Sequence, residues 1–174
     1  MRARKYARSD WRVCVPGMNN PQAGIPRALI DTNVWISAIL NPSGQPARIL
    51  AAFRQGQFVA VLSRPLVEEI ANVLYRPRIY RRWQFDVTGV QQTLYLLSQA
   101  VFEPAPAGTL HICRDPKDDF VLETALLGNA QYVVSRDEDI TRDPQITAFL
   151  REHGIEVLTV GHFLALLESP PTRP

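Results

Sequence analysis

The feature that most constrains this chain is the alternation of its apolar residues between two rhythms. Short runs rich in apolar and β-branched residues are separated by longer stretches in which apolar residues recur three and four apart. Residues 27–30 (RALI), 58–62 (FVAVL), 131–135 (QYVVS) and 156–159 (EVLT) read as strands. A further short strand is expected at 102–103, ahead of the proline-rich break at 104–106. Helical spacing covers 34–40, 46–55, 64–75, 87–102, 116–127, 144–153 and 161–168. Strands joined through helices need crossover connections, which are right-handed and make neighbouring strands parallel. The fold class is therefore α/β, with helices on both faces of a mainly parallel sheet.

This pattern fills residues 27–168 and makes one domain. At 174 residues the chain is long enough to bury about two-thirds of its unfolded surface without disulfides or a structural metal. Residues 1–26 are aperiodic and rich in Arg, Pro, Gly and Asn, the composition of a flexible tail, and Met18 within them offers a second start. The ending SPPTRP at 169–174 cannot continue a helix and is expected to fray. Cys14 and Cys113 have no CxxC spacing and no companion histidines, so free thiols in a cytoplasmic protein are expected. No apolar run approaches the ~18 residues of a membrane span. A net charge of +2 is too small to identify a nucleic-acid partner by itself.

Four carboxylates fall where one pocket could collect them. Asp31 directly follows the first strand and Asp137 follows the QYVVS strand. In parallel sheets, ligands bind beyond the carboxyl ends of the strands, where strand order reverses. If these two strands are neighbours, the two aspartates share a crevice. On a helical wheel for 64–75, Glu69 lies at the edge of the apolar stripe, beside Leu66 and Val73, while Glu68 points away. In the helix from 116, Asp118 falls in the stripe of Val121, Leu122, Ala125 and Leu126, with Asp119 to its side. Taken singly, each acid has a plainer explanation: Asp31 as a helix cap, Asp118 as a first-turn charge, Asp137 as a polar turn, Glu69 as an edge residue. Taken together, with no histidine or cysteine beside them, they form an all-oxygen set that suits a hard cation such as Mg²⁺ or Mn²⁺.

The segments 28–40 (ALIDTNVWISAIL), 46–79, 114–140 and 156–167 resemble the PIN-domain family. They are similar in particular to the VapC-like bacterial PIN ribonucleases that act as toxins of toxin–antitoxin systems. The resemblance implies a three-layer α/β/α sandwich with strand order 3-2-1-4-5, which sets the first strand beside QYVVS. It implies a metal-dependent endoribonuclease that hydrolyses RNA phosphodiester bonds with Mg²⁺ or Mn²⁺. Its four acids match Asp31, Glu69, Asp118 and Asp137, both as metal ligands and as catalytic residues. Asp119 rivals Asp118, Asp139 is a supporting acid, and Asn33 and Ser135 match polar positions that orient the acids. Ser135 stands where the family usually has threonine and keeps the hydroxyl. The partners implied are RNA, a cognate antitoxin protein and a second copy of the chain in a homodimer or higher homo-oligomer.

An acidic pocket repels phosphate, so cations must bring the substrate in. Arg78, Arg81 and Arg82 lie in the segment YRPRIYRRW, where arginines alternate with aromatics that could stack on bases. A solvated loop or a dimer surface accounts for the same segment. Arg114, Lys117 and Arg136 neighbour the proposed ligands. The competing reading is a catalytically weak or inactive PIN-type RNA-binding module, which should have lost one of the acids; all four are present. A haloacid-dehalogenase-like phosphatase would need Asp-x-Asp after the first strand, and Asp31-Thr32-Asn33 lacks its second aspartate.

Overall fold

The computed structural model describes residues 25–101, 106–113 and 115–168, apart from the side chain of Lys117. Four parallel strands form the sheet: β1 (Arg27–Ile30), β2 (Val59–Ala60), β3 (Tyr132–Val134) and β4 (Glu156–Leu158), in the order β2-β1-β3-β4. The register pairs Ala28 with Ala60 on one side and with Tyr132 on the other; Val133 then pairs with Val157. The chain thus leaves β1 towards β2 and later returns to the opposite side at β3, so strand order reverses between β1 and β3. Residues 102–103 lie outside the described residues. Val101, just before them, makes a parallel bridge to Leu62 beyond β2. That is where an order of 3-2-1-4-5 puts its outer strand, and the sheet has the PIN-like arrangement.

Three consecutive β1 residues, Ala28, Leu29 and Ile30, are all buried. Successive strand side chains face opposite ways, so both faces of the sheet are covered by helices. Among the described residues these are α1 (Thr32–Leu40), α2 (Gln45–Arg54), α3 (Arg64–Leu74), α4 (Pro77–Trp83), α5 (Val87–Gln99), α6 (Pro116–Leu127), α7 (Glu138–Thr141), α8 (Pro144–Glu152) and α9 (Val160–Glu168). Their starts follow local chemistry. Proline occupies the first turn of α2, α3, α4 and α8, where its missing N–H costs nothing. Asp86 caps α5 by accepting from Thr88 N and Gly89 N, and Asp143 caps α8 by accepting from Gln145 N and Ile146 N.

Three elements differ from the sequence reading, one of them the short helix α7, where only a polar turn was read. The segment at 75–83 is not a loop: Pro77–Trp83 winds into α4, although none of its residues is buried. It ends where Gln84 turns left-handed, at φ 42°. The helix expected through 102 stops at Gln99, because Val101 leaves the helical path to bridge Leu62.

The core is mainly aliphatic and includes edge-to-face aromatic pairs. Trp35 meets Phe53 at 5.5 Å and Phe58 meets Phe163 at 5.2 Å, both T-shaped. A buried hydroxyl pair, Ser63 Oγ and Thr124 Oγ1 at 2.9 Å, ties the start of α3 to α6. No helix among the described residues is long and apolar enough to cross a membrane.

Candidate active site

Asp31 leaves the sheet at the carboxyl end of β1 while still held by it, since its N–H donates to Val134 O at 2.9 Å. Its carboxylate then caps α1 by accepting from Asn33 N at 3.3 Å, as the plainer reading of the sequence had it. The other oxygen accepts a 2.6 Å hydrogen bond from Ser135 Oγ. Because that hydroxyl spends its single proton on Asp31, its lone pair is left to accept from Asp137 N, at 2.9 Å. Ser135 is fully buried and Asp31 nearly so. One hydroxyl therefore fixes the ends of β1 and β3 to each other. Asp137 turns outward to cap α7, accepting from Asp139 N at 2.9 Å. Asn33 lines the same cleft and is exposed.

The cleft beyond these strand ends has a volume of about 460 Å³. Six carboxylates line it: Asp31, Glu69, Asp115, Asp118, Asp137 and Asp139. All four acids singled out in the sequence thus face one space, and Glu68 is exposed elsewhere, as the helical wheel indicated. Among the described residues that line it there is no lysine or arginine. The charge shows in Asp118, whose carboxyl is pushed up to about 6, first by burial and then by repulsion from Asp137, Asp115, Asp31 and Asp139. The donor set is entirely hard oxygen, which fits a divalent cation such as Mg²⁺ or Mn²⁺ in chemistry. The spacing is open: among the described residues, no group of three or more His, Cys, Asp or Glu is arranged to hold a metal ion as it stands.

The facing of α6 corrects the wheel. Asp119, read as lying to the side, is the more deeply buried of the pair, at 4% exposed, and it does not line the cleft. It accepts from Ile112 N at 2.9 Å and Cys113 N at 2.8 Å. One turn on, Glu123 is buried as well and accepts from Ala107 N, Gly108 N, Thr109 N and Thr109 Oγ1 at 2.8–3.3 Å. These two carboxylates strap residues 107–113 onto α6, just ahead of Asp115 and Asp118. Sequence reasoning missed Glu123 and Asp115. The i, i+4 spacing of Asp119 and Glu123 on one helical face was the available signal. Beside Asp119, burial pushes the Cys113 thiol up to about 12.

The basic residues are spread more widely. Arg78, Arg81 and Arg82 are exposed on α4 and none lines the cleft. Arg136 is exposed next to Asp137. Arg114 and the side chain of Lys117 lie outside the described residues.

Fold and cleft together define a parallel α/β domain with an acidic site at its strand-order reversal. The chain matches the PIN domain family over residues 27–139, well over half its length, and it belongs to that family. PIN domains are generally nucleases that act on RNA and generally use divalent metal ions. The chain is also 27% identical over 131 residues to the uncharacterized protein MJ1680 of Methanocaldococcus jannaschii, covering 75% of this chain and 83% of that one. No solved structure matches it significantly.

Proposed function

We propose that the chain is an endoribonuclease that hydrolyses RNA phosphodiester bonds with Mg²⁺ or Mn²⁺ held by Asp31, Glu69, Asp118 and Asp137. The observation that supports this reading is the convergence of these four acids on one cleft at the strand-order reversal, with Asp115 and Asp139 beside them. Such a cluster is costly unless a counter-charge enters. A bound divalent ion would lower the pKa of a water molecule and offset charge developing on the phosphoryl oxygens.

The chain's own residues supply position. Ser135 fixes the rotamer of Asp31, Asn33 presents its side chain at the rim, and Asp139 adds charge beside Asp137. Arg136, and Arg114 and Lys117 by their place in the sequence, are the cations assigned to phosphate contact. Asp119 acts on the strap and not on the metal. The toxin of a VapC-like toxin–antitoxin pair, working in the cytoplasm with a cognate antitoxin and as a homodimer or higher homo-oligomer, is the biological setting that the sequence resemblance supports.

The test is cleavage of a mixed RNA substrate with Mg²⁺ or Mn²⁺ by the wild type, Asp31→Asn and Asp118→Asn. Each substitution should cost at least about a hundredfold, since even residues that merely orient metal ligands are worth 10–100-fold. Equal cleavage by all three proteins would sink the site, and activity surviving EDTA would sink the metal. The open spacing of the acids is also what a weak or inactive RNA-binding module would have. RNA binding with no metal-stimulated turnover in the same assay would favour that module.

A further inference from the structure

We propose that α4 and the start of α5 form a docking surface for single-stranded RNA, one that works without a metal ion and holds the strand beyond the cleft. The proposal deepens the ribonuclease reading and rests on it for the choice of RNA. α4 is a seven-residue helix, PRIYRRW, with no buried residue. A helix this short is marginal alone, and it contributes no side chain to the core. What it offers is surface.

Among the described residues, three of the seven large exposed hydrophobic side chains, Tyr80, Trp83 and Val87, lie on α4 and at the start of α5, and Tyr75 shortly precedes α4. Tyr75, Tyr80, Trp83, Val87, Tyr95 and Leu96 all fall within 75–96, and only Val59 lies elsewhere. Tyr80 stands edge-on against Phe85 at 5.5 Å, which fixes one ring against the next. Arg76, Arg78, Arg81 and Arg82 are interleaved with these rings, all exposed and none in a salt bridge with a described residue. Residues 75–99 hold four arginines and one acid, Asp86, a net +3 in a chain whose total is +2. In this segment a positive excess and exposed rings coincide.

That combination selects the occupant. Arginine grips phosphates as a fork, and tyrosine or tryptophan stacks on bases that are not already paired. A second copy of the chain docked across a two-fold axis here would set arginine against arginine. A duplex would offer phosphates but no free base faces. The placement also suits a strand that enters the cleft. Asp31 and Asn33 line the cleft at one end of α1, and Ala38, Ile39 and Leu40 at the other end line a groove that Trp83 and Phe85 also line. From Asn33 to Leu40 the helix rises about 10 Å. One strand a few nucleotides long could touch both.

The test uses the full chain carrying Asp31→Asn, in EDTA, with a fluorescent single-stranded oligoribonucleotide and its duplex as probes. Anisotropy should show tighter binding of the single strand, weakening as salt rises. Combined Arg78→Ala, Arg81→Ala and Arg82→Ala should reduce the salt slope by about 2, since each phosphate contact on a single strand contributes about 0.7. Trp83→Ala should weaken binding about tenfold, the worth of one stacked base. Far-ultraviolet circular dichroism should stay unchanged, because none of the substituted α4 residues is buried. Equal affinity for duplex and single strand, or a salt slope and affinity unmoved by these variants, would overturn the proposal. Binding of an acidic protein but not of RNA would overturn it too. Docking as described without any cleavage by the unsubstituted cleft would sink the nuclease reading and leave the docking surface standing.

Discussion

At the scale of single residues, the cleft is a place where folding and function pull apart. Asp118 has its carboxyl raised to about 6 from an ordinary value near 3.8, so the folded protein binds that proton more tightly than the unfolded chain does. Stability linked to this group is therefore lowest above pH 6 and recovers as pH falls from about 6 towards 4. Discounted for solvent screening, the cost at pH 7.5 is about 1 kcal/mol. Asp118→Asn should raise the Tm of metal-free protein at pH 7.5 by about 2–4 °C and flatten this part of its pH profile, while abolishing cleavage. Thermal melts at pH 5 and 7.5, with EDTA and with Mg²⁺, check this; a substitution that lowers Tm at pH 7.5 refutes it. The facing of Glu69 over Glu68 was legible from helical spacing alone. The wheel also favoured Asp118 over Asp119 for the cleft, but the burial of Asp119 was not legible, because its partners Ile112 N and Cys113 N come from the strap at 107–113.

At the scale of elements, α6 serves two structures at once. Its first turn offers Asp118 to the cleft, and the next residue, with its i+4 partner, pins the strap. Glu123 accepts from three backbone N–H groups and one hydroxyl. Glu123→Gln removes the charge and replaces an acceptor with a donor that faces donors. Losing bonds to a buried charged group of this kind should cost about 2 kcal/mol locally. Cys113 offers the readout, since its raised thiol should resist alkylation in the wild type and react faster once the strap loosens. Peptide mapping separates it from Cys14, and an unchanged alkylation rate at Cys113 would show that Glu123 is dispensable. Strands and most helices were legible from apolar period and proline position. α4 was not, since a helix without a buried face leaves no apolar period to find.

At the scale of the molecule, the crevice between the first strand and QYVVS followed from strand order. The hydroxyl that joins their ends did not, because nothing in a sequence records which side chain a serine meets. The acids are placed unequally. Asp31 is buried where β1 ends, whereas Asp118 and Asp137 are half-buried and Asp139 exposed, at the starts of α6 and α7. Amide hydrogen exchange should separate these halves: β1 amides exchanging only through global unfolding, and those of 137–141 through cheaper local openings that Mg²⁺ slows. Uniform protection across both would contradict this. If the proposed ion binds, a site assembled from one deep anchor and several shallow ones would let it come and go by breathing at the rim, while the anchored half keeps the template for the next ion.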